Sequence, residues 1–109
     1  MEEFIQVFMS TDKEEDAKRI SEQIVKDRFA ACAQIIGPIR SIYWWEGQIQ
    51  EEKEWLCLFK TRASLFNELS RRIKELHTYH VPEITALTIK HGSREYLKWI
   101  INETQKSQG

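Results

Sequence analysis

The chain has 109 residues, 41% hydrophobic and 30% charged, a composition that suits one folded domain and excludes a disordered segment. Its 16 basic and 17 acidic residues leave a formal net charge of -1, which offers no electrostatic footprint for nucleic acid or an anionic membrane. No apolar run approaches the ~20 residues that span a bilayer. The start Met1-Glu2-Glu3-Phe4 carries neither a basic n-region nor a cleavage signal, so a cytoplasmic protein is expected, with Cys32 and Cys57 as free thiols in apolar segments.

In chain order, Phe4 to Met9 reads as a short buried strand, and Ser10-Thr11-Asp12 punctuates it. Thr11 and Glu14 have capping-box spacing, and Ala17, Ile20, Ile24 and Val25 recur at helical period, which predicts a helix over 13–28. An apolar run from Ala30 to Ile36 breaks at Gly37-Pro38 and resumes from Ile39 to Trp45. Glu46-Gly47 is a two-residue hairpin turn, and Gln48 to Lys60 is the return strand. Thr61 is placed to cap a second helix with Leu65, Leu69, Ile73 and Leu76 on its inner face. Pro82 pushes Val81 towards extended geometry, and Glu83 to Ile89 is a fourth strand. Ser93 is a candidate N-cap for a last helix facing inward through Tyr96, Leu97, Ile100 and Ile101. The tail from Gln105 is polar and expected to fray.

The first six elements, β-α-β-β-α-β, are those of an α+β, ferredoxin-like sandwich: one antiparallel sheet with two helices on one face, here with an extra C-terminal helix. The chain forms a single domain over 1–109. Its long hairpin carries Tyr43, Trp44 and Trp45 in succession. Successive strand residues point to opposite faces, so both faces of that arm need apolar cover, which points to a subunit interface; the sharper alternative is an aromatic wall for a small ligand.

Three stretches together resemble one known family. Arg28-Phe29-Ala30-Ala31-Cys32-Ala33 resembles the start of the second strand of CutA proteins. Ser41-Ile42-Tyr43-Trp44-Trp45-Glu46-Gly47-Gln48-Ile49 is similar to the family's aromatic hairpin tip, closed by Lys60-Thr61. His77-Thr78-Tyr79-His80-Val81-Pro82-Glu83 resembles its His-Pro-Tyr-x-x-Pro-Glu segment, with Thr78 in place of the proline; Tyr96-Leu97 and Trp99 also match. The resemblance implies a ferredoxin-like subunit of a homotrimer, PII-like in architecture, linked to copper and other divalent cations. It implies a metal-binding or signalling role rather than an enzyme. Where some relatives have a cysteine at the end of the first strand, this chain has Met9, whose thioether suits Cu(I) better than Cu(II).

The candidate metal ligands are His77, Cys32, Met9, His80 and Glu83. Imidazole and carboxylate suit Cu²⁺ or Zn²⁺, although His-x₂-His-x₂-Glu is not the four-ligand pattern of a closed zinc site. His77 also suits a structural role at a helix C-terminus, and Cys32 suits that of a small buried hydrophobe. Lys60, Tyr79 and Trp45 are candidates for a ligand pocket at an intersubunit cleft, with a salt bridge the plainer reading for Lys60 and Glu83. The run Glu51-Glu52-Lys53-Glu54 reads most simply as a solvated edge, with weak binding of hard cations by its clustered carboxylates as the alternative.

Two other classes share the element order. An RNA-recognition domain needs basic and aromatic residues in its central strands, and Trp55-Leu56-Cys57-Leu58-Phe59 lacks that pattern. A small phosphatase needs an anion-binding loop after the first strand, and Ser10-Thr11-Asp12-Lys13-Glu14-Glu15 is acidic and has no glycine.

Overall fold

The computed structural model describes residues 2–105. Strands β1 (Phe4–Thr11), β2 (Cys32–Trp45), β3 (Gln48–Arg62) and β4 (Ile84–Ile89) form one antiparallel sheet in the order β2-β3-β1-β4. The helices are α1 (Glu14–Lys26), α2 (Phe66–Leu76), entered through a 3₁₀ turn at Ala63–Leu65, and α3 (Arg94–Glu103). This is the expected β-α-β-β-α-β order with a further helix.

Alternation along β1 decides what each face buries. Ile5, Val7 and Met9 meet Ala17, Ile20 and Ile24 of α1, Leu69 and Ile73 of α2, and Cys57 and Phe59 of β3. Each large side chain fully buried here contributes about 1.5–3 kcal/mol before entropy. Phe4 has the opposite parity and packs with Ala31 and Ile100 of α3. Two helices therefore cover one face, and α3 covers one end of the other. Leu97 and Ile101 of α3 pack inward as expected. Tyr96, expected inward, is exposed and lies against Trp99 at 5.4 Å between ring centroids.

Helix α1 is shorter at both ends than its periodicity suggests. Glu14, Glu15 and Asp16 in its first turn and Lys26 in its last complement the helix dipole. The exit is a left-handed closure: Arg28 takes φ 67°, its N–H donates to the Val25 carbonyl at 3.0 Å, and the Phe29 N–H donates to the Ile24 carbonyl at 3.1 Å. Glycine is usual at this position. Here the Arg28 guanidinium donates to the Glu103 carbonyl and carboxylate at 3.1 and 2.9 Å, tying the turn to α3.

Neither threonine expected to cap a helix does so. The β1–β3 ladder runs from Phe4↔Arg62 to Thr11↔Trp55, so Thr11 and Thr61 both lie inside it. Strand pairing of the backbone prevails over local capping. Lys13 precedes α1 without a side-chain cap, and the Thr61 hydroxyl donates to the Phe29 carbonyl at 2.7 Å. Ser93 does cap α3, accepting from the Tyr96 N–H at 3.3 Å. Beyond Gln105, the polar tail lies outside the described residues.

The hairpin outgrows its sheet. Pairing of β3 with β1 ends at Trp55, whereas pairing with β2 continues to Trp45↔Gln48. Positive φ at Glu46 and Gly47, 50° and 76°, closes the tip as a tight two-residue turn. A register shift between Ile36 and Ile39 marks where the arm leaves the sheet. At that point Gly37 lies flat against the Trp55 indole, with no room for a Cβ. Along the arm Ile42, Trp44 and Ile49 are 64%, 72% and 63% exposed, and Trp44 and Ile49 are direct cross-strand partners.

Candidate functional site

After α2 the chain turns extended at His77, and the imidazole folds back to be 8% exposed. Its Nε2 lies 2.7 Å from the Ser10 carbonyl oxygen, and its Nδ1 accepts the Tyr79 N–H at 2.9 Å. A nitrogen that accepts carries no proton, so Nε2 holds it and donates to Ser10. The neutral ring has then used both nitrogens. His77 thereby fastens the start of the Tyr79 loop to the end of β1.

That fastening aims Tyr79 at the base of the arm. Its hydroxyl donates to Glu54 Oε2 at 2.7 Å. Glu54 is only 5% exposed, unlike the solvated edge expected for its run, and no lysine or arginine lies within ion-pair distance among the described residues. The Ser10 hydroxyl donates to Glu83 Oε1 at 3.2 Å. Burial, followed by the bond to Glu54, pushes the Tyr79 phenol well above its ordinary range. Tyr43 is shifted the same way by desolvation and then by Glu52 and Glu54. Both phenols stay protonated at neutral pH.

These groups line a cleft of about 540 Å³. Tyr43 and Trp45 form its arm side, Tyr79, His80 and Val81 its loop side, and Ser10, Glu54 and Glu83 its polar floor, with Ser41 and Ile42 completing the wall. No lysine or arginine is on the lining.

The residues singled out in the sequence divide among four places. His80, Glu83, Tyr79, Trp45 and Tyr43 come together on the cleft. Met9 is sealed in the core, opposite Cys57 and Ile84 in the ladders. Cys32 opens β2, its Sγ 3.8 Å from the Tyr96 hydroxyl. Lys60 faces Cys32 across the ladder and donates to Gln34 Oε1 at 2.6 Å, away from the cleft lining. Trp44 points to the exposed side of the arm. Among the described residues, no group of three or more His, Cys, Asp or Glu side chains is arranged to hold a metal ion. Cys57 is a buried free thiol whose pKa is raised by burial. Sequence reasoning placed Glu54 in an acidic edge and missed its burial: only the position of Tyr79, 25 residues away, makes it a buried acceptor.

Comparison with known proteins points to one family over most of the chain. The family model described as CutA1 divalent ion tolerance protein matches residues 5–103. The divalent-cation tolerance protein CutA of Thermus thermophilus is 44% identical over 98 residues, covering 90% of this chain and 95% of that protein. The chloroplastic protein CutA 1 of Oryza sativa subsp. japonica is 42% identical over 103 residues, 94% of this chain; the chain spans 58% of that protein's length. The crystal structure of CutA1 from Oryza sativa matches with a TM-score of 0.93 at 41% identity, covering 96% of each chain.

Proposed function

This chain belongs to the CutA1 divalent ion tolerance family, and on that premise we propose that it works as a homotrimeric, PII-like subunit that responds to divalent cations, copper among them. The observation that carries the reading is the cleft: two carboxylates, Glu54 and Glu83, and the His80 imidazole on one lining free of lysine and arginine. Imidazole with carboxylate is a donor set that suits Cu²⁺ or Zn²⁺. Among the described residues these three donors are not gathered closely enough to form a metal cluster, so water would complete the shell and binding would be weak and exchangeable, as suits a response rather than a structural site. His77 and Met9 stand outside this ligand set, one with both nitrogens engaged and the other sealed in the core.

The trimer rests on the arm. A two-stranded ribbon alone in water is marginal, yet this one exposes Ile42, Trp44 and Ile49 together. The free edges of β2 and β4 are open to strand addition, and Leu87 on β4 is exposed beside one of them. Repeated head-to-tail, such addition closes a ring, and the family resemblance sets its size at three. The Trp44 side meets the neighbour, and the Tyr43 and Trp45 side opens onto the cleft.

Calorimetric titration with Cu²⁺ and Zn²⁺ tests the cation part. Affinity is expected to fall in Glu54→Gln and His80→Ala and to be unchanged in Cys32→Ser; equal affinity in all of these variants contradicts it. A second reading, a small-ligand sensor with no physiological metal site, is favoured by the engaged His77 ring and the lack of a three-ligand group.

A further inference from the structure

The cleft floor holds an electrostatic imbalance. Glu54 is nine-tenths buried and accepts one hydrogen bond, from a neutral phenol, with no counter-cation among the described residues. A carboxylate removed from water without a paired cation is costly. Its Oε2 is held by Tyr79, the one hydrogen bond found to this carboxylate among the described residues. The walls beside it are aromatic: Tyr43, Trp45 and Tyr79. The electron-rich faces of such rings attract weakly hydrated organic cations, and an aromatic enclosure around a carboxylate is the chemistry that recognises alkylammonium groups. The volume, about 540 Å³, is that of a small-molecule site and far exceeds the need of one ion.

We propose that the cleft between the hairpin arm and the Tyr79 loop binds a small organic cation, an amine or quaternary ammonium compound, with its charge on Glu54 and its alkyl groups against Tyr43, Trp45 and Tyr79. The proposal rests on reading the cleft as a cation site and names the class of ligand that fills it. Glu83, held by the Ser10 hydroxyl, supplies a second negative charge on the lining. The protonated phenols of Tyr43 and Tyr79 add no charge of their own, so the two carboxylates carry the charge of the lining and the rings supply its apolar surface.

The test uses the full chain, with choline as the probe and its uncharged isostere, in which a tert-butyl group replaces trimethylammonium, as the control. Calorimetry is expected to show saturable choline binding, roughly tenfold weaker binding of the isostere, and a comparable loss in Glu54→Gln and in Trp45→Ala. Glu54→Gln keeps an acceptor for Tyr79, and an unchanged assembly mass confirms that it folds. No choline binding at millimolar concentration, equal binding of the isostere, or full affinity in both variants overturns the proposal. A parallel Zn²⁺ titration separates the two readings. Zn²⁺ binding without choline binding overturns only the organic ligand; failure of both removes the cation reading of the cleft.

Discussion

The Tyr79 hydroxyl donates a 2.7 Å hydrogen bond to Glu54, joining the loop after α2 to the base of the hairpin arm. Without that donor the carboxylate is buried with no partner. Tyr79→Phe is therefore expected to destabilise the protein by about 1–3 kcal/mol, the cost of an unsatisfied buried acceptor. Glu54→Gln should cost less, since an amide oxygen still accepts. Urea titrations of both variants check the order; a Tyr79→Phe variant as stable as the parent removes the bond from the account.

His77 should behave as a structural histidine. His77→Ala strands the Ser10 carbonyl and the Tyr79 N–H, and an expected loss of about 2–3 kcal/mol follows from two buried groups left unpaired. Long-range ¹⁵N spectra of the parent should show the Nε2–H tautomer. A dominant Nδ1–H form would contradict the bonding described above.

Gly37 marks the point where the arm leaves the sheet, and a methyl group there overlaps the Trp55 ring. Since that ring packs against the core, Gly37→Ala is expected to cost about 1–3 kcal/mol, the range for overpacking. Thermal unfolding reads it directly.

The Asp27 carboxyl is held below its ordinary range, first by the Gln23 amide at 3.0 Å and then by the Arg72 guanidinium at 3.2 Å. A lowered folded-state pKa means that the contribution is present above the unfolded value, near ~3.9, and is lost as pH falls through the folded one. The pair is about a third exposed, so solvent screens it. Asp27→Asn should lower the melting temperature by about 2 °C at pH 7 and leave it unchanged once the carboxyl is protonated in both the folded and the unfolded state. An equal deficit under both conditions would contradict the linkage.

Trp44 distinguishes a lone arm from an assembled one. At 72% exposed in the single chain, its removal should change stability by no more than about 0.5 kcal/mol if the chain works alone. In the trimer, Trp44→Ala is expected to lower the melting temperature by several degrees and to make it depend more steeply on protein concentration. Melting scans over a hundredfold range of concentration decide between the two.

Much of the fold was legible because it is written in local periodicity. The helical spacing of Ala17, Ile20 and Ile24 and the Glu46-Gly47 turn appear where expected. Thr11 and Thr61 do not cap their helices because a long-range ladder claims both residues, and no local signal reports partners as far off in the chain as Trp55 and Ile5. The site was legible only in part for the same reason. The segment from His77 to Glu83 announces itself by composition, but its division of labour does not. The geometry turns His77 inward to Ser10, leaves His80 and Glu83 on the cleft, and recruits Glu54 from an acidic run that looked solvated.

Native mass spectrometry of the parent and of Glu54→Gln, with and without added Zn²⁺, tests the central claim most directly. The expected parent spectrum is an assembly of three times the 13.0 kDa chain mass that gains up to one metal ion per subunit, with the gain lost in Glu54→Gln while the assembly persists. A single-chain mass at micromolar concentration, or equal metal uptake by both proteins, would contradict it.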